Sequence, residues 1–390
     1  MHPGGPGHRR TSVRRLTLGA PVPRSVPATL VAPGQHRAAG STRVVGWRDT
    51  VHGPYPAGGP ALETTKTDEA SVAPGELERA LEEHRLELTA YAYRMLGSAF
   101  EAEDAVQETL LRAWKHIDQF QGRSSLRSWL YSIATNVCLD MLSGRERRAR
   151  PMEMEPARSA DTPLPEPLPE SAWILPIPDE RVVPTEGDPA ELVESRESIR
   201  LAFVAALQHL PPRQRAVLIL REVLRWKASE VAELLETSVA SVNSALQRAR
   251  ATLASVDLSA EASRPMDDDQ RALLARYVDA FERYDMDSLT SLLHEDATWS
   301  MPPYEMWLQT HEDIVFWCLG PGGGCRGSRL IPVDANGSAG FGQYKPGPSG
   351  LEPWSLQVVE ISDGRIAGIS FFLDTERLFP LFGLPPRLDP

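Results

Sequence analysis

The fold is decided by one stretch, residues 213–253, which reads RQRAVLILREVLRWKASEVAELLETSVASVNSALQRARATL. Its apolar spacing predicts three helices, of which the last two form a helix-turn-helix. The first helix of that pair is predicted over 229–235, where Ala232 is small enough to let a second helix cross close by. Residues 236–238 form the predicted turn, because Ser238 is a good N-cap for the helix that follows.

The last helix of this stretch has two different faces when residues are spaced at about 100°. The predicted buried face is aliphatic and carries Val239, Val242, Leu246, Ala249 and Leu253. The opposite face is polar and carries Asn243, Ser244, Gln247 and Arg248. In a major groove an amide can bridge adenine and an arginine can bridge guanine, so the pattern indicates recognition of duplex DNA. An ordinary antiparallel helix pair with a solvated face stays open as the alternative from this stretch alone.

Composition indicates a soluble chain of several domains. The 390 residues are 42% hydrophobic and 24% charged, an ordinary soluble composition, and the length is enough for two or three domains. The 34 prolines and 28 glycines are too many for a compact fold throughout, so we expect linkers. The net charge of −12 is unusual for a DNA-binding protein, yet the arginines cluster within 145–150 and 213–250. Nucleic-acid binding therefore depends on local charge.

Several classes of protein are excluded by what the sequence lacks. No run of about 18 apolar residues exists, so we expect no membrane span. Cys138, Cys318 and Cys325 form no CxxC or zinc spacing, and we expect neither a metal site nor a cofactor. Their small number indicates a reducing compartment, the cytoplasm. Residues 1–70 are rich in Pro, Gly, Arg and Ser, which predicts a disordered tail without a signal peptide.

The first folded unit is predicted over 76–148, and its helix at 99–117 carries two stripes. The predicted core stripe is Val106, Leu110, Ala113, Trp114 and Ile117. A second stripe lies about 130° away and consists of Asp104, Gln107, Glu108 and Leu111. A leucine within a polar stripe is typical of a docking face for a partner helix and also of plain exposed surface, and both interpretations stay open.

The next helix of this unit lies within FQGRSSLRSWLYSIATNVCLDMLSGRERRAR, residues 120–150. Trp129 and Asn136 share one face, and the arginine cluster follows with Arg145, Arg147 and Arg148. An aromatic ring offers stacking, an amide reads a base edge and arginines hold phosphates, so this face suits unstacked single-stranded bases. A half-buried tryptophan beside a solvated polar edge is the alternative.

The linker is predicted over 149–190, because that segment is rich in proline and acidic residues and cannot form helices. Its apolar island SAWILPIP, residues 171–178, is the exception. An apolar patch of this kind is expected to dock on another surface, although a plain tether stays open. The second helical unit, which holds the helix-turn-helix, is predicted over 191–256.

The last unit, residues 265–385, is predicted as an α+β cone in which two helices precede a curved antiparallel sheet. Asp363 and Gly364 between two strand-like segments predict a hairpin. Six aromatic or sulfur side chains are expected to line a pocket, namely Trp299, Met301, Trp307, Trp317, Tyr344 and Trp354. The acid/base candidates are His294, Glu295, Asp296, His311 and Asp313. They belong to no evident catalytic arrangement, so we expect no catalytic residue.

Three motifs in this order and spacing resemble a known family. DAVQETLLRAW, FQGRSSLRSWLYSIATNVCLDML and SVNSALQRARATL are similar to regions 2 and 4 of the bacterial extracytoplasmic-function sigma factors of the sigma-70 family. The segment YVDAFERYDMDSLTSLLHEDATWSMPP resembles the SnoaL-like branch of the nuclear-transport-factor-2-like superfamily. The resemblance implies a multidomain chain with two all-α sigma domains and a C-terminal SnoaL-like domain. Glu236 departs from the pattern, because many helix-turn-helix turns carry glycine there.

The resemblance also assigns roles and partners. It implies that Asp104, Gln107, Glu108 and Leu111 bind the β′ clamp helices of core RNA polymerase, and that the β flap is a further contact. It implies a −10 DNA surface made of Trp129, Asn136, Arg145, Arg147 and Arg148. It implies a −35 surface made of Asn243, Ser244, Gln247 and Arg248, and a linker that threads toward the RNA exit path.

The expected function is that of a sigma factor, which binds core polymerase and promoter DNA and directs promoter-specific initiation. The C-terminal domain is then expected to regulate this activity, and its pocket offers a site for a small-molecule ligand. The alternative is a SnoaL-like enzyme or small-molecule-binding protein with a helical regulatory region.

Overall fold

The computed structural model describes residues 74–120, 124–254, 266–348 and 350–389. The tail predicted over 1–70 lies outside these ranges. Thirteen α-helices and six strands are present among the described residues. Nowhere in these ranges is a helix long and apolar enough to cross a membrane.

The first helical unit consists of α1 (Pro74–Glu82), α2 (Arg85–Leu96), α3 (Ala99–Lys115) and α4 (Leu126–Leu142). Helix α2 lies at its centre, since Leu88, Tyr91 and Met95 are completely buried. Gly97 ends α2 in a left-handed conformation with φ of 71°, and Ser98 then caps α3. This glycine lets two long helices follow each other within two residues.

The prediction that Trp114 of α3 belongs to the core is wrong. Trp114 is 54% exposed, although the spacing puts it on the same side as the buried Val106 and Ala113. It lies in the last turn of α3, which ends at Lys115, one residue later. Periodicity gives the direction of a side chain, but burial needs a neighbouring element that extends as far as the helix end.

The second helical unit consists of α5 (Pro189–Glu197), α6 (Leu201–Gln208), α7 (Pro212–Leu218), α8 (Ala228–Leu234) and α9 (Val239–Leu253). A π-helical segment, Ile219–Val223, continues α7. The predicted helix-turn-helix is confirmed, and Ser238 caps α9 by accepting a hydrogen bond of 3.1 Å from the Ser241 amide. Glu236 takes the left-handed φ of 50° that glycine often supplies in such turns.

The buried face of α9 is confirmed at its centre, while Leu253 at the end of the helix is only partly buried and Val239 at its start is exposed. Val242, Leu246 and Ala249 are buried, whereas Val239 is 44% exposed. Val239 lies in the first turn, where its side chain is on the edge of the buried face and the neighbouring helices do not cover it.

The two helical units share one hydrophobic core. The rings of Tyr131 on α4 and Trp226 before α8 are 5.0 Å apart. The buried Arg94 donates a hydrogen bond of 2.6 Å to the Ser198 hydroxyl, and the buried Arg215 donates to the Met95 carbonyl. The units are therefore packed directly against each other in this structure.

The linker has no regular secondary structure beyond three short 3₁₀ turns, at Pro151–Glu153, Glu170–Ala172 and Asp179–Arg181. The predicted docking of its apolar island is confirmed. Trp173, Ile174 and Ile177 are each at most 2% exposed. The island packs within this chain, where the Leu175 amide donates a hydrogen bond of 2.9 Å to the Gly97 carbonyl.

The C-terminal unit begins with two helices, α10 (Asp268–Arg283) and α11 (Met286–Ser291). The sheet is formed by β1 (Leu293–Ser300), β2 (Trp307–Leu308), β3 (Arg329–Ala335), β4 (Ser338–Gly347), β5 (Gly350–Ser362) and β6 (Arg365–Phe372). Two further helices, α12 (His311–Leu319) and α13 (Thr375–Leu381), complete the unit. Helix α11 is capped by Asp285.

The strand order is β2-β1-β6-β5-β4-β3, and the predicted α+β architecture is confirmed. The sheet is not antiparallel throughout, because β1 and β6 pair in parallel. The predicted hairpin between β5 and β6 is present, with φ of 50° at Asp363 and 69° at Gly364. One face of the sheet packs against α10, through Tyr277 and Phe341. The other face packs against α13, through Tyr344 and Phe379.

Candidate nucleic-acid interface

The polar stripe of α3 lies at the surface. Asp104 and Gln107 are exposed, and Leu111 is 44% exposed. Glu108 is partly exposed and accepts a hydrogen bond of 2.6 Å from Arg112, one turn along the helix. Trp114 extends this surface, because it follows Leu111 by three residues and Gln107 by seven.

An exposed leucine and an exposed tryptophan on adjacent turns form an apolar patch with polar neighbours, a composition typical of a protein-binding surface. The sequence prediction missed Trp114, since its helical phase assigns it to the core. The sequence gives no clear signal of its exposure, because the helix is predicted to continue to residue 117 and ends at Lys115 in the structure.

Helix α4 carries the candidate single-strand surface. Trp129 is half-buried and its ring lies 5.2 Å from that of Phe120. Asn136 is exposed, seven residues or about two turns further along the helix. The phenylalanine supports the tryptophan from one side and leaves part of the indole open to solvent.

The three candidate arginines after α4 have different environments. Arg145 is exposed and pairs with Glu101. Arg147 is exposed and lies 2.8 Å from His209 Nε2, and burial together with this cation lowers the pKa of His209. Both can supply positive charge to a phosphate after small side-chain movements.

Arg148 is a correction to the predicted DNA surface. It is 5% exposed, and its guanidinium donates hydrogen bonds of 2.6 Å to the Trp173 carbonyl and 2.8 Å to the Glu170 carbonyl. It also pairs with Glu101 at 3.0 Å. These contacts anchor the returning linker, so Arg148 does not face solvent in this structure.

The polar face of α9 lies at the surface, and each of its four candidate residues is exposed: Asn243, Ser244, Gln247 and Arg248. Arg248 donates a hydrogen bond of 2.7 Å to the Ser244 hydroxyl, one turn earlier. This contact directs the guanidinium toward the preceding turn of the helix. The arrangement presents donors and acceptors to a groove and leaves the aliphatic face in the core.

Helix α4 and the segment that leads into the helix-turn-helix share a cationic side chain. The guanidinium of Arg127 on α4 lies 5.1 Å from the ring centre of Tyr131 and 5.5 Å from that of Trp226. Cation–π contacts of this kind add to the apolar packing between the two rings.

A second junction joins the helical units to the C-terminal domain. Asn336 and Gly337 form the turn between β3 and β4, with φ of 56° and 66°. The Gly337 amide donates a hydrogen bond of 2.7 Å to Asp179 in the linker. A Cβ on Gly337 would lie 2.6 Å from the carbonyl oxygen of Arg196, so only glycine allows this close approach.

The surroundings of Asp179 raise the pKa of its carboxyl group. Burial raises the pKa of Asp179 to about 6, the hydrogen bond from Gly337 lowers it, the nearby Asp334 raises it and Arg196 lowers it. The junction therefore contains a carboxyl group that titrates above its usual range.

The interior of the cone is narrow. The cavity measures about 40 Å³, and four of the predicted residues line it: Trp299, Met301, Trp317 and Trp354. Trp307 and Tyr344 are corrections. The Trp307 indole donates a hydrogen bond of 2.8 Å to the Glu155 carbonyl of the linker, and Tyr344 donates one of 2.7 Å to the Pro385 carbonyl.

The acid/base candidates of the C-terminal domain do not line this cavity. A ring nitrogen of His311, Nε2, lies 2.8 Å from the His294 carbonyl. Asp313 lies in the first turn of α12, which Thr310 caps, and accepts a hydrogen bond of 3.0 Å from the Ala160 amide of the linker, which lowers the pKa of Asp313. Within the described ranges no cluster of three or more His, Cys, Asp or Glu side chains is suited to a metal ion.

Comparisons with known proteins match the two helical units. Residues 80–148 match Sigma-70 region 2, and residues 200–253 match Sigma-70, region 4. Over 335 residues the chain is 45% identical to the ECF RNA polymerase sigma factor SigG of Mycobacterium tuberculosis, and the match covers 84% of this chain and 88% of that protein.

A second relative is the ECF RNA polymerase sigma factor SigJ of the same organism, which is 27% identical over 306 residues, 74% of this chain and 88% of that protein. Among solved structures, the crystal structure of SigJ matches with a TM-score of 0.48 and 23% identity, over 80% of this chain and 99% of that chain. A putative ketosteroid isomerase from Kribbella flavida matches 28% of this chain and 79% of its own length, with a TM-score of 0.24 and 20% identity.

Proposed function

The chain belongs to the extracytoplasmic-function RNA polymerase sigma factors, and we propose that it alternates between the closed arrangement described above and an open, polymerase-bound one. As a member of this family it binds core RNA polymerase and directs promoter-specific initiation of transcription. The proposal concerns which surfaces do this and what the C-terminal domain adds. We further propose that it acts in the cytoplasm, where its polymerase is found.

We assign polymerase binding to the exposed stripe of α3. Leu111 and Trp114 supply apolar contact area, while Asp104, Gln107 and Glu108 supply polar contacts around it. A helix with this composition suits the β′ clamp helices, and the β flap is the proposed contact of the second helical unit. Leu111 and Trp114 are the anchors of this surface, because buried apolar anchors contribute most binding free energy.

We assign the −10 element to α4 and the residues after it. Trp129 stacks on an unpaired base of the non-template strand, and Asn136 contacts a base edge on the same face. Arg145 and Arg147 bind phosphates beside them. Arg148 is left out of this surface, because its guanidinium is bound to linker carbonyls.

We assign the −35 element to α9. Asn243, Gln247 and Arg248 read base edges in the major groove, as the second helix of a helix-turn-helix does. The net charge of −12 does not oppose this, because the charge that matters is local to the two DNA surfaces.

The observation that carries the proposed regulation is the burial of the linker island. Trp173 is 1% exposed, and the bonds of Arg148 and Gly97 hold the island against the first helical unit. A linker that threads through polymerase cannot occupy this position at the same time. Polymerase binding must therefore release the island, and contacts that hold it oppose binding.

The C-terminal domain adds to these contacts. Its β3–β4 turn binds the linker at Asp179 and Ile177, and Trp307 binds it at Glu155. Because the domain is covalently attached, even a weak interface is occupied at an effective concentration of roughly millimolar. We propose that the domain stabilises the closed arrangement and lowers the affinity for core polymerase.

We propose that the domain acts without catalysis. Its cavity of about 40 Å³ is lined mainly by aromatic and sulfur-containing side chains, and its acid/base candidates lie elsewhere. A small-molecule ligand would have to displace some of these side chains. Such a ligand shifts the closed–open equilibrium only if it binds the two arrangements with different affinities.

Run-off transcription with purified core polymerase tests the proposal. A chain that ends after Val256 is expected to give more transcript than the full-length protein when polymerase is limiting, and both are expected to bind core. Circular dichroism of the truncated chain controls for its folding, since the cut exposes an apolar surface. Equal output from both proteins across several promoters contradicts the regulatory role, and absence of any transcript contradicts the assigned activity.

A further inference from the structure

Val239 is the first residue of α9, and its side chain is 44% exposed. We infer that Val239 recognises the 5-methyl group of a thymine in the −35 duplex. This inference rests on the proposed binding of α9 in the major groove and adds an apolar contact to it. It makes Val239 a specificity-determining residue rather than part of the core.

The position of Val239 on the helix supports this role. Residues four apart on a helix lie one above the other, so Val239, Asn243 and Gln247 form one row. Asn243 and Gln247 are exposed, and Val239 lies on the edge between them and the buried residues of α9. Recognition helices contact base edges chiefly with their N-terminal residues, and Val239 is at that end.

The local structure defines the direction of the Val239 side chain. The Ser238 hydroxyl accepts a hydrogen bond of 3.1 Å from the Ser241 amide and so defines the first turn of α9. A β-branched side chain has one strongly preferred rotamer in a helix, so Val239 presents its methyl groups in a defined direction. Its neighbours Ala240 and Ser241 are small and leave room for a base pair to approach.

The chemistry selects the ligand. Valine can neither donate nor accept a hydrogen bond, so the polar base edges offer it nothing. Thymine is the base that presents an apolar group, its C5-methyl, in the major groove. Within the described part of 189–254, Val239 is the large apolar side chain exposed to this extent, so the helix-turn-helix surface is otherwise polar.

Replacement of thymine by uracil tests the contact, because uracil lacks only the methyl group. Holoenzyme assembled from core polymerase and the full-length chain first selects its −35 sequence from promoter fragments randomised in that region. Each selected thymine, on either strand, is then replaced by uracil, and binding is measured for the wild-type and Val239→Ala holoenzymes.

At one position uracil is expected to weaken wild-type binding about fourfold, the equivalent of about 0.8 kcal/mol for one buried methyl-sized group. Val239→Ala is expected to weaken binding to the thymine promoter by a similar factor and to be indifferent to uracil at that position. Leu319→Ala, which shortens an exposed side chain of α12, is the control and should keep the wild-type response.

Two results overturn the inference while leaving the proposed function intact. One is a selected −35 element in which uracil is tolerated everywhere. The other is a Val239→Ala holoenzyme that responds to uracil as the wild type does. A holoenzyme without any −35 base preference, unaffected by Asn243→Ala, contradicts the role of α9 itself and the inference with it.

Discussion

The side-chain amide of Asn336 donates a hydrogen bond of 2.6 Å to the phenol oxygen of Tyr93, which lies 243 residues earlier in the chain. The same nitrogen donates to the Ile199 carbonyl at 2.7 Å, and the amide oxygen accepts from the Ile177 amide at 3.0 Å. Burial raises the pKa of Tyr93, so its hydroxyl stays protonated and donates in turn to the Leu175 carbonyl at 2.8 Å. One completely buried side chain thus joins both helical units, the linker and the C-terminal domain.

Asn336→Gly is expected to weaken this junction. Glycine tolerates the left-handed φ of 56°, so the substitution removes the amide without adding backbone strain. Loss of a buried hydrogen-bonding group costs about 1–3 kcal/mol per group left unpaired, here chiefly the Ile177 amide. We expect a lower free energy of unfolding in urea and tighter binding to core polymerase. Asp363→Gly, in the left-handed turn between β5 and β6, is the matched control, and equal polymerase affinity for both variants argues against the junction.

Asp179 gives this junction a pH dependence. A carboxyl group whose pKa is about 6 in the folded protein and lower when unfolded binds protons more tightly when folded. The contribution of Asp179 to the free energy of unfolding is complete below pH 4 and is lost as the pH rises through 6. The difference between the folded and unfolded pKa values corresponds to about 3 kcal/mol. Asp179→Asn keeps an oxygen for the Gly337 amide and is expected to flatten the urea stability profile between pH 4 and 7; an unchanged profile contradicts this assignment.

How far the sequence predicts the structure depends on what each residue contacts. The face of α9 that carries Asn243 and Gln247 follows from helical spacing alone. Val239 and Trp114 were predicted wrongly because both lie at helix ends, where burial depends on the reach of a neighbouring element. Arg148 looks the same as Arg147 in the sequence, and only the return of the linker buries it.

The cavity and the junction also contain contacts that the sequence alone does not predict. Tyr344 follows Gln343, which lines the cavity, and successive residues of a strand point to opposite faces, so only the register assigns Tyr344 to the α13 side. Asn336-Gly337 is recognisable in sequence as a tight turn. The three hydrogen-bonding partners of Asn336 and the one of Gly337 are remote in sequence, and no local pattern identifies them.

Leu111→Asp is expected to impair binding to core polymerase. The leucine is 44% exposed on the assigned docking stripe, and a charge there would be desolvated without a partner. Loss of a central contact of this kind costs about 2 kcal/mol or more, a loss of affinity of at least about thirtyfold. Pull-down with core polymerase measures it. Leu319→Asp, at a leucine 58% exposed on α12, is the matched control, and equal binding of both variants contradicts the α3 surface.

Trp129→Ala is expected to impair promoter melting while leaving core binding intact. Stacking of one base on an aromatic side chain is worth about 1–3 kcal/mol, so open complexes should decrease by roughly a factor of five or more. Permanganate footprinting of unpaired thymines measures the open region. Because the ring also packs 5.2 Å from that of Phe120, circular dichroism must first show a native fold. Undiminished permanganate reactivity in a folded variant contradicts the −10 assignment.

Arg147 and Arg148 are adjacent in sequence and are expected to respond differently to alanine. Arg147 is exposed, so Arg147→Ala should remove one phosphate contact and lower the slope of log affinity against log salt by about one, with little change in stability. Arg148 holds the linker through the carbonyls of Glu170 and Trp173, so Arg148→Ala should lower the free energy of unfolding by about 3 kcal/mol. Its salt slope in the polymerase-bound complex should stay at the wild-type value. Salt titrations of promoter binding and urea unfolding of both variants measure the two effects separately. A reduced salt slope for Arg148→Ala would mean that the open, polymerase-bound form releases this arginine to DNA, and it would return Arg148 to the −10 surface.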